Sequence, residues 1–379
     1  MSDLPLSTAP SAPDAEADGS FPAARADALE AAADAARLAP SVHNTQPWLL
    51  AVLPDRLELR ADRGHQLHAL DPAGRALVLS GGAALLNARV ALAARGFAVQ
   101  VDRLPVPSDP DLLAVVRPVP GRPDGELAAL ATAVLQRRTN RRPFAGDELP
   151  DAVVRRLSRA ADEEDTTLVP VLTEEQRRLV ARLTQTADGI QNADPAYRAE
   201  LRRWTTRAPE EGDGVPARSV RHTEGTAGED LPLRDFDTSG AGELPEEVAG
   251  GPTQSLLLFS SRDDDPLAWL RCGEAFERVQ LELTRLGWAA SPVTQAIEVP
   301  VTRLQLRSAL TWERHPQVVL RVGHAEASPA PPHRHRDAVV HTAGQRFPVP
   351  APLPAPAAES TSAPPSRPVS DGRGGTVWR

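Results

Sequence analysis

Two stretches decide the fold: Gly82-Ala-Ala-Leu-Leu-Asn-Ala-Arg-Val-Ala-Leu-Ala-Ala-Arg-Gly-Phe97 and Gly273-Glu-Ala-Phe-Glu-Arg-Val-Gln-Leu-Glu-Leu-Thr-Arg-Leu-Gly-Trp288. Each runs from a glycine to an aromatic residue over the same length, with a second glycine at the same offset, Gly96 and Gly287. Ala84 aligns with Ala275, Leu85 with Phe276 and Leu92 with Leu283. Each reads as a long apolar helix stopped by glycine, with a strand-like segment after it. Such a repeat predicts two halves packed about a pseudo-twofold axis, each helix lining the shared interface. Two unrelated Ala/Leu helices ending in glycine would also match in this way.

Working outward, Arg25 to Leu38 reads as an amphipathic helix. Trp48 to Leu53, then Pro54-Asp55, then Arg56 to Ala61 reads as a hairpin whose second arm alternates. Asp71-Pro72 predicts a helix start, as does Asp265-Pro266 for the helix that Gly287 ends. Leu112 to Val116, Ser255 to Ser260 and Gln317 to Val322 read as strands, and Asp124 to Gln136 as a helix. Thr173-Glu-Glu-Gln176 has the spacing of a capping box.

The ends and one internal stretch read differently. Residues 1–24 are Ala, Pro, Ser and Asp with few large apolar side chains, the composition of a disordered arm. From about Thr342 the chain is Pro/Ala/Ser low complexity, expected as a disordered tail over 342–379. Residues 207–251 are rich in Gly, Glu and Asp, the composition of a lid or a disordered insert. The folded part is thus expected as a first half over 25–136 and a second over 137–341 that carries the insert.

The chain has 379 residues, 41% of them hydrophobic, enough for a sizeable core. Its 51 acidic residues outnumber 42 basic ones, for a net charge of −9. That balance argues against general nucleic-acid binding, which needs a basic face. No run of ~18 uninterrupted apolar residues predicts a membrane span. The N-terminal residues lack the basic head and apolar run of a signal peptide. Cys272 is the single cysteine, which excludes an internal disulfide and a cysteine zinc cluster and makes the cytoplasm the expected compartment. There is no lysine, so any anion site here must use guanidinium forks.

Four segments could carry chemistry. Ala39-Pro-Ser-Val-His-Asn-Thr-Gln-Pro-Trp48 packs donors and acceptors between two prolines, and its amides suit the edge of a heteroaromatic ring. Arg137-Arg-Thr-Asn-Arg-Arg-Pro-Phe144 has a phosphate-binding composition, continuing past the helix end that would explain its first two cations. Ser291-Pro-Val-Thr-Gln-Ala-Ile-Glu298 follows the Gly287 helix stop. His333-Arg-His-Arg336 suits a metal tract or a basic loop, the latter favoured. No dinucleotide fingerprint, Walker motif, zinc-protease motif or nucleophile elbow is present.

Together these segments resemble the nitroreductase-like flavoproteins, and more narrowly the internally duplicated Acg-family FMN-binding oxidoreductases, from about Arg25 to His341. The resemblance implies an α+β nitroreductase-like fold with central antiparallel sheets and long interface helices. It implies FMN as cofactor and NADH or NADPH as reductant. It places Arg137, Thr139 and Arg141 in the phosphate segment, with Arg334 and Arg336 as a C-terminal basic pair interrupted by His335. It places Ser41, Asn44 and Gln46 in the segment reaching in from the partner half. Pro292, Val293, Thr294 and Gln295 would form the loop offering backbone to flavin N5. Arg141 becomes the candidate to offset charge near N1 of reduced flavin, and no other catalytic side chain is expected.

Each half lacks what the other supplies. The first has no segment like Arg137–Arg141 before its Pro40–Trp48 turn, and the second reads Ala160-Ala-Asp-Glu-Glu-Asp-Thr-Thr-Leu168 where that turn should lie. One composite FMN site per chain is therefore expected, in a monomeric pseudo-dimer or a homodimer. Three functions compete: hydride transfer from NAD(P)H through FMN to a small organic acceptor, FMN sequestration beneath a lid, and a flavin-free dimerisation module.

Overall fold

A computed structural model of the chain describes residues 20–141, 144, 148–215, 234, 236, 255–326, 328–345, 368–370 and 376–378. Helix α1 (Ser20–Ala36) begins ahead of the expected Arg25 and buries Ala28, Leu29, Ala32, Ala33 and Ala36 along one face. Strands β1 (Trp48–Val52) and β2 (Leu57–Ala61) form the hairpin, with Leu50 opposite Leu59. Helix α2 (Arg75–Ala94) starts later than Pro72. Gly74 takes a left-handed φ of 75° at its N-cap, and Asp71 Oδ2 accepts the Leu77 N–H at 2.9 Å. By length and composition α2 could cross a membrane, but 83% of its apolar window is buried inside the protein, as a core helix is. Strands β3 (Ala98–Arg103) and β4 (Leu112–Val119) follow. The helix expected over 124–136 is two, α3 (Gly125–Ala128) and α4 (Ala131–Gln136), and Asp124 caps the first through Glu126 and Leu127 N–H.

Helix α5 (Asp151–Asp162) and strand β5 (Thr167–Val171) open the second half. Helix α6 (Glu174–Ala193) begins with the reciprocal Thr173–Gln176 capping box, and α7 (Pro195–Thr205) follows. Strand β6 (Ser255–Ser261) leads to α8 (Pro266–Arg285), where Asp265 accepts the Ala268 N–H at 2.8 Å. Then come β7 (Ala289–Val293), α9 (Gln295–Glu298) and α10 (Pro300–Leu306), which runs into a π-helical turn at Arg307–Thr311. Strand β8 (His315–Gly323), helix α11 (Arg336–Val339) and strand β9 (Val340–Thr342) complete this body. Separately, within the stretch read as a tail, β10 (Pro368–Ser370) pairs antiparallel with β11 (Thr376–Trp378).

One connectivity occurs twice. Strands β1 and β2, helix α2 and strands β3 and β4 build a sheet ordered β3-β4-β2-β1. Strands β5 and β6, helix α8 and strands β7 and β8 build one ordered β7-β8-β6-β5. Every one of these pairings is antiparallel. Both long helices end alike: Gly96 and Gly287 have φ of 87° and 81°. Phe97 N–H reaches Leu92 O and Trp288 N–H reaches Leu283 O, the glycine stop that satisfies orphan helix carbonyls. The added edge strand β9 runs parallel to β1, so the end of the second half completes the sheet of the first.

Helices α2 and α8 cross at the two glycines that open the repeat. A Cβ on Gly82 would lie 2.0 Å from the Leu270 carbonyl oxygen, and one on Gly273 would lie 1.9 Å from that of Leu79. Only glycine lets the backbones meet this closely. The crossing fixes Leu79 and Ser80 of α2 beside Phe276 of α8, and these three line the same cleft.

Candidate functional site

The Pro40–Trp48 turn is held in an uncommon conformation. His43, Asn44 and Gln46 have φ of 51°, 55° and 49°, the left-handed region that costs non-glycine residues energy unless neighbours impose it. Neighbouring groups impose it here. Ser41 Oγ accepts the Gln46 N–H at 2.9 Å, and Gly214 N–H donates to Asn44 O at 3.2 Å. Trp48 anchors the far end, fully buried in the first core.

This turn forms one wall of a cleft between the halves, with about 990 Å³ of space between atoms, its open mouth included. Pro40, Ser41 and His43 stand on one side, and Ser291 to Gln295 on the other. Leu79, Phe276 and Val318 supply an apolar floor, and Thr139 and Arg141 close one end. Two of the polar residues lining it have side-chain atoms without partners among the described residues. Both ring nitrogens of His43 and Nε2 of Gln295 are buried without a hydrogen bond. Burial, then Arg234 and Arg141, hold the His43 imidazole well below its usual range, so it is neutral at pH 7. Burial, with Arg234 nearby, pulls Arg141 down to about 10, still a cation at neutral pH. An apolar slot edged by unpartnered polar atoms and the Arg141 and Arg234 cations suits a heteroaromatic ring with electronegative edges.

The insert reaches this cleft at two residues the sequence reading did not single out. Arg234 and Phe236 line it. The Phe236 ring meets His43 edge-on at 5.9 Å, and Arg141 lies 5.9 Å from the same ring. Arg234 Nη2 donates to both Glu298 carboxylate oxygens at 2.9 and 2.7 Å and to Thr294 Oγ1 at 3.2 Å, and its Nη1 donates to the Tyr197 hydroxyl. Burial works against the Arg234 cation, but Glu298 and Tyr197 outweigh it and raise its pKa. Nothing in a Gly/Glu/Asp-rich stretch marks which of its residues turns inward.

Comparison with known proteins bears on this geometry. "Putative NAD(P)H nitroreductase Rv3131" of Mycobacterium tuberculosis is 34% identical over 333 residues, 85% of this chain and 95% of the relative. "Putative NAD(P)H nitroreductase acg" of the same organism is 33% identical over 325 residues, 83% of this chain and 96% of the relative. The chain belongs to this Acg-type nitroreductase family. No protein-family model matches it. Among solved structures, a nitroreductase with bound FMN from Desulfitobacterium hafniense aligns with a TM-score of 0.36 at 13% identity, over 55% of this chain and 95% of that one. One with bound FMN from Bacteroides fragilis gives 0.33 at 14% identity, over 53% and 90%.

Of the residues the nitroreductase resemblance brought forward, the fold gathers Ser41, Thr139, Arg141, Pro292, Val293, Thr294 and Gln295 around the cleft. Five others stand off its wall; protein groups satisfy Asn44, Gln46, Arg334 and Arg336, and Arg137 only in part. Asn44 Nδ2 donates to Pro332 O at 3.0 Å. Gln46 Nε2 donates to Gly212 O at 2.8 Å, and its Oε1 accepts the Arg334 N–H at 2.9 Å. Arg334 Nη1 donates to Gln46 O and Asp62 Oδ2 at 2.9 and 3.1 Å. Arg336 binds Asp34 at 2.9 Å and also Glu30, tying α11 to α1. Arg137 Nε lies 3.3 Å from Glu277 Oε1. The expected Arg142 contribution and most of the 207–251 insert lie outside the described residues.

Asn44, Gln46 and Arg334 belong to a chain of contacts running out to the base of the insert. Asp62 Oδ2 lies 2.8 Å from His65 Nδ1 and 3.1 Å from Arg334 Nη1. His65 Nε2 lies 3.5 Å from Asp213, which Arg207 clamps with two bonds of 2.7 Å. Burial opposes the His65 cation, but Asp213 and Asp62 outweigh it and raise its pKa. Burial likewise opposes ionised Asp213, and His65 and Arg207 bring it down to about 2. Among the described residues no group of His, Cys, Asp and Glu could hold a metal ion.

Proposed function

We propose that the cleft binds FMN and that the chain is an NAD(P)H-dependent oxidoreductase acting on a small organic acceptor. The carrying observation is the cleft's set of unpartnered polar atoms, both His43 ring nitrogens and Gln295 Nε2, beside the Arg141 cation and apolar lining residues. When bound, FMN supplies two-electron redox chemistry between a nicotinamide and an acceptor. Leu79, Phe276, Pro292 and Val293 would pack against its ring, Thr294 and Gln295 would offer polar contacts to it, and Arg141 would supply a positive potential that favours its anionic reduced form. The relatives' names, NAD(P)H nitroreductase, accord with this reading.

One site per chain is part of the proposal. The pseudo-equivalent of Thr294 in the first half is Arg103, which binds the fully buried Glu274 through Nε at 2.6 Å and Nη2 at 2.8 Å. Arg89 joins Glu274 and Glu164 at 2.6 and 2.7 Å, and Arg278 joins Glu164 at 2.9 Å. These ion pairs engage the first half's counterpart of Thr294, which supports a single site.

A second reading is favoured by Arg234 and Phe236. An insert anchored at Glu298 with an aromatic ring over the cleft would keep a nicotinamide from stacking and make the protein an FMN-sequestering one. Apoprotein titrated with FMN is expected to saturate near one per chain; saturation near two overturns the single site. Mixing the loaded protein anaerobically with NADH or NADPH is expected to bleach the flavin absorbance within seconds. Persistence of colour with both nucleotides selects sequestration, and a protein that stays colourless after FMN is offered rejects both readings.

A further inference from the structure

Residues 207–215, the base of the insert, fold back on the Pro40–Trp48 turn. Gln46 Nε2 donates to Gly212 O, Gly214 N–H to Asn44 O, and Val215 N–H to Trp204 O at 2.9 Å. Gly212 and Gly214 take left-handed φ of 70° and 75°. A Cβ on Gly212 would lie 2.2 Å from His333 O, and one on Gly214 2.5 Å from Trp204 O. The base is thus wedged between the turn, the end of α7 and the segment before α11. The two bonds across to the turn are neutral and individually modest.

A charged link crosses the same junction at His65. Its Nδ1 lies 2.8 Å from Asp62 Oδ2 in the first half, and its Nε2 lies 3.5 Å from Asp213 Oδ2 in the insert's base. The Nδ1 contact lacks hydrogen-bond geometry, so it is an attraction of charges. A neutral imidazole has one N–H and would turn a lone pair on one of these carboxylates, whereas the imidazolium presents an N–H to each. The groups around it need the same charge. Asp62, Asp213 and Glu211 face only Arg334 and Arg207, and protonated His65 completes the balance. Arg63 beside it is taken by Asp111 at 2.8 Å. From α7 the uncharged Trp204 ring packs on it at 5.9 Å, with Arg203 and Arg207 over that ring at 5.6 and 5.1 Å. His341 on β9, near Asp62, is held below its usual range by burial and Arg334 and stays neutral at pH 7. Burial opposes the His65 cation, but Asp213 and Asp62 raise its pKa above the ordinary 6.5. The stabilisation it brings is therefore full below about pH 6.5 and is lost as pH rises through the raised value.

We infer that His65 is a proton latch: as imidazolium it ties residues 207–215 to Asp62 and the Pro40–Trp48 turn, and on losing its proton it releases them and loosens the turn wall of the cleft. The left-handed Asn44 and Gln46 persist only where contacts impose them, and Gly212 and Gly214 supply two of those contacts. The inference goes beyond the FMN reading and does not depend on it, since the latch acts on the cleft wall whatever fills the cleft.

Hydrogen exchange of the full-length protein tests this through the peptide that covers Gly212 to Val215, whose Gly214 and Val215 N–H groups hold the base in place. Protection there, corrected for the intrinsic pH dependence of exchange, is expected to fall between about pH 6 and about pH 9, by about tenfold for each unit by which latching raises the His65 pKa. Ring NMR of histidine-labelled protein measures that pKa, and the fall is expected to share its midpoint. A peptide from β6, in the core, is expected to change far less. His65→Gln has no proton to lose, so its base is expected to be as poorly protected at the lower pH as the wild type is at the higher, with no fall between. Wild-type protection that does not vary with pH, a fall whose midpoint departs from the His65 titration, or a fall that survives in His65→Gln would each overturn the latch. If His65→Gln unfolds, so that β6 loses protection too, the agreement of the two wild-type midpoints decides alone. No flavin signal enters these measurements, so failure of the latch and failure of the FMN reading are told apart.

Discussion

His43 has no hydrogen bond for either ring nitrogen, a left-handed backbone and two arginines nearby. Its folded-state pKa lies well below the ordinary 6.5, so the unfolded chain binds the extra proton more readily. The sign follows: His43 contributes a loss of stability as pH falls below about 6.5, and none above it. Glu277 works the other way, its raised pKa of about 7 lowering stability as pH climbs from 4.5 through that value. A comparison of variants isolates the histidine. Urea unfolding of wild type and His43→Asn is expected to show a stability gap that shifts in favour of the variant as pH drops from about 7 to about 5. A gap that stays constant across that range would mean the imidazole is solvated or paired in the folded state. Asparagine is chosen because it tolerates a left-handed backbone. The importance of this turn was legible in the sequence from its density of polar groups between prolines. The division of labour within it was not. Asn44 and Gln46 look as suited to a ligand as His43 does, and only the strained backbone, which turns them toward Pro332, Gly212 and Arg334, assigns them to holding the turn.

At the scale of elements, the paired long helices were the most readable part of the chain. Their glycine stops and following strands stand where the repeat put them, because a helix end needing positive φ leaves a strong mark in sequence. Starts were less legible. Asp71-Pro72 resembles a cap and first turn, yet Gly74 delays α2, and Asp71 reaches forward to cap it from outside. The function of the first glycine in each repeat was also hidden, since a helical glycine reads as a flaw until its neighbour is known. In an open helix, Gly→Ala gains up to ~1 kcal/mol. Here the sign reverses. Gly82→Ala and Gly273→Ala each drive a methyl into the backbone of the opposite helix, and each is expected to cost about 1–3 kcal/mol or more. Thermal unfolding reads this directly: a melting temperature unchanged or raised in either variant would show that the helices can separate without loss. Because Leu79, Ser80 and Phe276 flank the crossing, ligand affinity should fall along with stability.

For the molecule as a whole, composition correctly bounded the core but misjudged how the halves join. Nothing in Val340-His-Thr342 marks it as a strand, since three residues carry no periodicity, and its place beside β1 is set by tertiary contact. Val339 and Val340 are buried in the first core. A chain ending at residue 335 loses both valines and is expected to lose roughly 3 kcal/mol or more from apolar burial. It also exposes the outer edge of β1, so light scattering should report concentration-dependent aggregation. A chain ending at residue 347 is the control. Equal melting temperature and monodispersity in the two would mean that β9 contributes nothing.

That parallel pairing also sets an order of events. On a ribosome the first half's sheet emerges early, yet one of its strands is made only after nearly all the second half has been synthesised. Until then the nascent β1 edge waits for a partner encoded far downstream. Folding of the two halves in succession, as separate domains would, is therefore denied to this chain. The unpaired edge leaves the early half open to mispairing until then, and native sheet formation waits on closure of the longest loop in the topology.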